Sequence, residues 1–121
     1  MKASQYQEAV ERTMCPFESR EMTPLELGML NYSMGMAGEG GEAADLVKKH
    51  VFHGHDLDRG KLLKECGDVV WYACALAAHL GVDFSDVLQM NIEKLQKRYP
   101  EGFNSADSVA RRDIAATPEA T

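Results

Sequence analysis

Lys64-Glu65-Cys66-Gly67-Asp68-Val69-Val70-Trp71-Tyr72 is the stretch on which the reading of this chain turns. Its apolar residues recur at helical spacing, and it carries two carboxylates three residues apart. Upstream, Gly38-Glu39-Gly40-Gly41-Glu42 repeats that spacing on what reads as the preceding helix. Residues three apart lie about 60° apart around a helix, so each pair shares a face. Both pairs are embedded in apolar sequence, where ionised carboxylates are costly unless something neutralises them. An all-oxygen set of four carboxylates suits a hard divalent cation, with Mg2+ the usual occupant.

The helices follow from the punctuation around these pairs. Thr23-Pro24-Leu25-Glu26 starts the helix that bears Glu39 and Glu42: Thr caps, Pro opens the first turn, and Glu stands three residues after the cap. That helix is expected to run to about Lys49 or His50. Its glycines each cost roughly 1 kcal/mol against Ala, so a break is expected near Gly40-Gly41. Asp58 caps the next helix, from Arg59 to His79 or Leu80, and Gly81 suits the left-handed position that closes it. Asp83 caps another from Phe84 to about Tyr99, stopped by Pro100, with Phe84, Leu88, Ile92, Leu95 and Tyr99 as its apolar stripe. A first helix covers Ala3 to about Met14, ended by Cys15-Pro16. The segment around Glu18-Ser19-Arg20-Glu21 reads as a loop. No useful β-alternation appears. The expected fold is all-α, a four- to five-helix bundle within one domain, 1–104, followed by a loosely ordered tail, 105–121.

Composition narrows the function. At 121 residues the chain is one domain with a modest core. A formal net charge of -6 and the lack of any basic run argue against binding a nucleic-acid polymer. No stretch approaches the roughly 20 apolar residues of a membrane span, and the first residues lack the apolar core of a signal peptide. Cys15, Cys66 and Cys74 are odd in number and form no CxxC, which fits reduced thiols in the cytoplasm.

Glu65, Asp68 and Tyr72 fall within a narrow sector of one helix. Gly28, Asn31, Gly35, Gly38, Glu39 and Glu42 share a broad face of the other, where glycine leaves room for a ligand or for a neighbouring helix. Asp45 continues the spacing as an exposed or outer acceptor. Asn91, Lys94 and Arg98 share a face of the Phe84–Tyr99 helix and could hold phosphate oxygens. Lys48 and Lys49 are favourable charges near a helix C-terminus. His50, His53 and His55 do not match a zinc spacing and read as loop histidines. A di-iron bundle needs Glu-x-x-His on two helices, and neither pair has the imidazole.

With these residues in place, the chain resembles the MazG-like members of the all-α nucleoside triphosphate pyrophosphohydrolases. Their E-x-x-E and E-x-x-D signatures are similar to Glu39-Gly40-Gly41-Glu42 and Glu65-Cys66-Gly67-Asp68. The run from Asn91 to Pro100 is similar to their closing helix. The resemblance spans about Leu25 to Phe103. The fuller pattern has an acid immediately before each pair, where this chain has Gly38 and Lys64; that departure bears on substrate range more than on chemistry.

The resemblance implies hydrolysis of a (deoxy)nucleoside triphosphate to the monophosphate and pyrophosphate, with a housecleaning role in the nucleotide pool. Glu39, Glu42, Glu65 and Asp68 would hold Mg2+, with Mn2+ as a substitute, and one of them would take the proton of the attacking water. Lys94 and Arg98 would contact phosphates, Asn91 and Tyr72 would position the nucleotide, and Trp71 is assigned to the core rather than to base stacking. The family implies a homodimer or homotetramer. The rivals are a phosphoribosyl-ATP pyrophosphatase-like enzyme and a non-catalytic, metal-binding helical oligomerisation module.

Overall fold

The structure is a computed structural model, and it describes residues 1–16 and 21–114. The loop expected at 18–21 therefore lies largely outside the described residues, as do 115–121. Among the described residues five α-helices are present: α1 (Ala3–Glu11), α2 (Pro24–His53), α3 (Arg59–His79), α4 (Phe84–Arg98) and α5 (Ser105–Ala110), followed by a 3-10 turn at Arg112–Ile114. Among the described residues there is no strand.

Local chemistry sets the boundaries. The Thr23 hydroxyl accepts from the Glu26 N–H at 3.2 Å, and the Glu26 carboxylate accepts from the Thr23 N–H at 2.8 Å, closing a reciprocal cap on α2. Asp58 accepts from the Lys61 N–H at 2.8 Å to start α3, and Asp83 accepts from the Ser85 N–H at 2.8 Å to start α4. Gly81 closes α3 at φ 72°, as expected of a residue free of Cβ. α1 ends three residues earlier than expected, where the Thr13 hydroxyl donates to the Val10 carbonyl at 3.0 Å.

Two expectations fail. α2 does not break at Gly40-Gly41; it continues for 30 residues, past His50 to His53, and Gly54 takes the left-handed cap. A helix that long, braced along α3, absorbs the cost of isolated glycines, because breaking it would forfeit the hydrogen bonds and packing on either side. The stretch from Ser105, expected to be loosely ordered, instead forms α5 and the 3-10 turn. Asn104 caps α5 by accepting from the Asp107 N–H at 2.8 Å, and Asp113 ties the turn to α4 by accepting from Arg98 Nε at 2.7 Å.

Nearly all the interhelical packing lies between α2 and α3, which form an antiparallel hairpin. The two facing rows have the alternating four-and-three spacing of a coiled-coil seam. On α2 they are Gly28, Tyr32, Gly35, Glu39, Glu42, Leu46 and Lys49; on α3, Leu62, Glu65, Val69, Tyr72, Leu76 and His79. The glycines explain the close approach. A Cβ at Gly28 would overlap the His79 ring, and one at Gly35 would overlap the Tyr72 ring. His79 Nε2 also donates to the Leu25 carbonyl at 3.1 Å, pinning the end of α3 to the start of α2.

Outside the seam the chain is open. Its accessible surface is 10193 Å2, against about 6,500 Å2 for a compact monomer of this mass. That excess is more than the eleven undescribed residues can supply. Met34, Leu63 and Met90 are each more than three-fifths exposed, on α2, α3 and α4 respectively. α4 packs only sparsely on α3, and α1 makes no substantial contact with any other helix. No described helix is long and apolar enough to cross a membrane.

Candidate metal centre

Register along the hairpin brings the acids together. Gly28 faces His79 and Gly35 faces Tyr72. From the Gly35–Tyr72 pair toward the α2–α3 connection, the same register sets Glu39 opposite Asp68 after one turn and Glu42 opposite Glu65 after two. Glu39, Glu42 and Glu65 each offer a carboxylate oxygen, all within 4.8 Å of one another. Asp68 stands outside that tight group but close enough to act on Glu39.

The electrostatics are those of a site awaiting a counter-charge. Glu65 is buried, at 7 % exposed. Glu39 has its carboxyl pushed above the usual range, first by burial, then by repulsion from Glu42, Asp68 and Glu65, with a hydrogen bond to Glu65 that favours the protonated form. No Lys or Arg among the described residues forms an ion pair with any of the four acids. Oxygen donors converging this closely fit a hard divalent cation, which would replace mutual repulsion with shared attraction. The cluster is therefore compatible with Mg2+ or Mn2+ by the chemistry of its donor set.

The remaining sequence-derived residues are placed less uniformly. Tyr72 lies on the seam one turn beyond Asp68 and packs on Gly35. Trp71, assigned to the core from its apolar neighbours, is instead 60 % exposed. Its ring stands edge-on to Tyr32 and Tyr72, with centroids 6.4 and 5.0 Å apart. An apolar neighbourhood in sequence does not say which face of α3 the chain itself covers, and α2 covers only one. Asn91 and Lys94 line a shallow groove with Val87 and Met90, built from α4 alone and with none of the four carboxylates in its lining. Arg98 is bound through both nitrogens to Asp113, whose side chain is 1 % exposed. Asp45 pairs with Lys48 at 3.0 Å and Lys49 at 2.6 Å, beside the cluster rather than in it. His50 and His53 belong to α2 and His55 to the following loop; His50 Nδ1 donates to the His55 carbonyl at 2.8 Å, a closing contact rather than a metal set.

Sequence reasoning missed Asp107 and Asp113. Their partners are Arg112 at 2.8 Å and Arg98, the latter on another helix, and no spacing rule links Arg98 to a residue fifteen positions away.

An all-α hairpin with paired carboxylates converging at its seam is a candidate divalent-metal scaffold. The MazG nucleotide pyrophosphohydrolase domain matches residues 28–103, so this chain belongs to the MazG family. It is also 42% identical over 82 residues to the gene 37 protein of Mycobacterium phage L5, covering 62% of this chain and 69% of that protein. No solved structure matches the chain.

Proposed function

We propose that the chain hydrolyses a nucleoside triphosphate to the monophosphate and pyrophosphate, with Glu39, Glu42, Glu65 and Asp68 as its divalent-metal site. The observation that carries this is the convergence of three carboxylates within 4.8 Å on the α2–α3 seam, with no cation among the described residues paired to them. Membership of the MazG family supports the reaction class.

When bound, the cation supplies charge neutralisation between an acidic site and an acidic substrate, and stabilises charge that develops during phosphoryl transfer. The chain's own residues do the rest. Glu39, Glu42, Glu65 and Asp68 would hold the cation. A water oxygen bonds to the α-phosphorus while the bridging α–β P–O bond breaks, and pyrophosphate leaves with the electron pair. The water's proton passes to one of the carboxylates. Glu39, held above the usual carboxylate range first by burial and then by its acidic neighbours, is one candidate to take that proton.

Assembly belongs to the same reading. The exposed apolar surface of α2, α3 and α4 matches a second copy of the chain, in a homodimer or homotetramer. A partner's α4 would then deliver its Asn91 and Lys94 toward the carboxylates. The role is nucleotide-pool housecleaning in the cytoplasm, with Mg2+ the resident ion.

The test is pyrophosphate release from a panel of ribo- and deoxynucleoside triphosphates with and without Mg2+. Metal-dependent formation of equal amounts of pyrophosphate and monophosphate is the expected result. If phosphoribosyl-ATP alone is consumed, the substrate assignment changes. If the metal raises the melting temperature and nothing is consumed, the hairpin is a structural metal site.

A further inference from the structure

The α2–α3 hairpin is chemically graded along its length. Tyr32, Trp71 and Tyr72 form an aromatic group on one side of the carboxylates. On the other side, toward the α2–α3 connection, the chain concentrates positive charge. Residues 48–64 hold five of its thirteen Lys and Arg but only two of its nineteen acids, in a chain whose net charge is -6.

Three cations near the site or on α4 are already held by acids. Lys48 and Lys49 share Asp45. Arg98 is held by Asp113, and Lys94 stands on the α4 groove. Lys61 and Lys64, like Arg59, Lys94 and Lys97, form no ion pair among the described residues, and what sets them apart is their place on α3 one turn from the acids. Both are exposed. Lys61 projects between Glu65 and Asp68 around the helix, and lies one turn, about 6 Å along the axis, before Glu65. Lys64 is one turn before Asp68. A Lys placed four residues before an acid can pair with it, yet these do not pair here. Their flexible stems let the ammonium groups reach over the cluster.

We infer that Lys61 and Lys64 form the subsite for the terminal phosphates of the substrate, so that the polyphosphate tail points to the α2–α3 connection and the nucleoside to Trp71 and Tyr72. The inference rests on the reaction proposed above and fixes the direction in which substrate lies on the hairpin. Charge demands such a subsite: four carboxylates and a triphosphate together exceed what one or two divalent ions neutralise. Ammonium groups one turn from the metal ligands supply the balance at the end where the leaving pyrophosphate collects negative charge.

Calorimetric titration of the full chain with inorganic tripolyphosphate in the presence of Mg2+ tests this. The wild type should bind, and the Lys61→Ala/Lys64→Ala double variant should bind at least about tenfold more weakly. Binding of a nucleoside monophosphate, which lacks the tail, should be the same in both. Lys61→Arg and Lys64→Arg should retain tail binding, and an unchanged circular dichroism spectrum shows that the helices persist. Equal tripolyphosphate affinity in the wild type and the double Ala variant overturns the subsite, as does a wild type that does not bind tripolyphosphate. A wild type that shows Lys-dependent tail binding but releases no pyrophosphate overturns the hydrolase reading and leaves the subsite standing.

Discussion

The α2–α3 seam and the junction between α4 and the 3-10 turn each bury a carboxylate among other charged groups, and they treat it in opposite ways. At the junction, Asp113 receives two nitrogens of Arg98 and a third contact from Arg111 at 3.4 Å, while Asp107 receives Arg112 at 2.8 Å and the Asn104 amide at 2.6 Å. Every charge there is answered. The Arg98 guanidinium holds the Asp113 carboxyl far below its usual range. At the seam, Glu39, Glu42 and Glu65 meet one another instead, and Glu39 is pushed upward by burial and repulsion. Paired acids of the first kind fasten structure. Unanswered acids of the second kind make the fold less stable, and they persist where a ligand supplies the missing charge.

The largest effect expected from breaking this contrast is on turnover. Glu42→Gln and Asp68→Asn each remove a negative charge while keeping shape. Either should lower pyrophosphate release to background with helicity unchanged, as read by a coupled pyrophosphate assay beside circular dichroism. Retained activity in both variants would sink the metal-site assignment.

Next comes the junction. Asp113→Asn leaves Arg98, four-fifths buried at its side chain, without its carboxylate. The melting temperature should fall by several degrees and α5 should lose protection in hydrogen exchange, whereas the Mg2+ dependence of turnover should be unaltered. A variant that loses metal dependence would tie the junction to the site and erase the distinction between the two regions.

Glu39→Gln sharpens the comparison from the other side. It removes a repelling charge, so the metal-free chain should melt about one to three degrees higher than wild type. The same variant should lose most of the melting-temperature rise that Mg2+ gives the wild type. A metal-free variant less stable than wild type would mean that Glu39 has an answering group.

How far these regions could be read beforehand follows from how local their signals are. Spacing within a helix is local, so the pairs Glu39/Glu42 and Glu65/Asp68, the caps at Thr23, Asp58 and Asp83, and the glycine closure at Gly81 were all legible. Register between two long helices follows once both ends are known, but the glycines at 28 and 35, read first as room for a ligand, instead admit the rings of His79 and Tyr72. Trp71 was misassigned because an apolar helix face is the same in sequence whether its own chain or another covers it. The Gly40-Gly41 break was expected from propensity alone, and packing along the hairpin overrode it. Asp113 was invisible because its value lies in a contact with Arg98 that only the folded chain creates. Asn91 and Lys94 were correctly placed on one face of α4, but helix periodicity says nothing about what that face meets.

The smallest effect expected is in acid. Lys49 and Lys48 lower the Asp45 carboxyl to about 2, so the folded chain binds its proton less readily than the unfolded chain does. The pair's stabilisation is therefore complete above the ordinary carboxylate range, fades as pH falls below about 4, and is gone below about 2. The pair is exposed and screened by salt, so its contribution is modest. Asp113 acts in the same sense, with its loss displaced further into acid. The metal-free seam acts in the opposite sense: protonation relieves Glu39, so acid removes a penalty there while it removes a benefit at Asp45. In low salt without metal, Asp45→Asn should narrow its stability gap to wild type as pH drops from 6 toward 3, measured by urea unfolding. Glu39→Gln should lose its advantage over the same interval. Two gaps that close from opposite sides would show paired and unpaired carboxylates working against each other in one small helical chain, whereas gaps of the same sign would mean that the seam acids are not repelling one another.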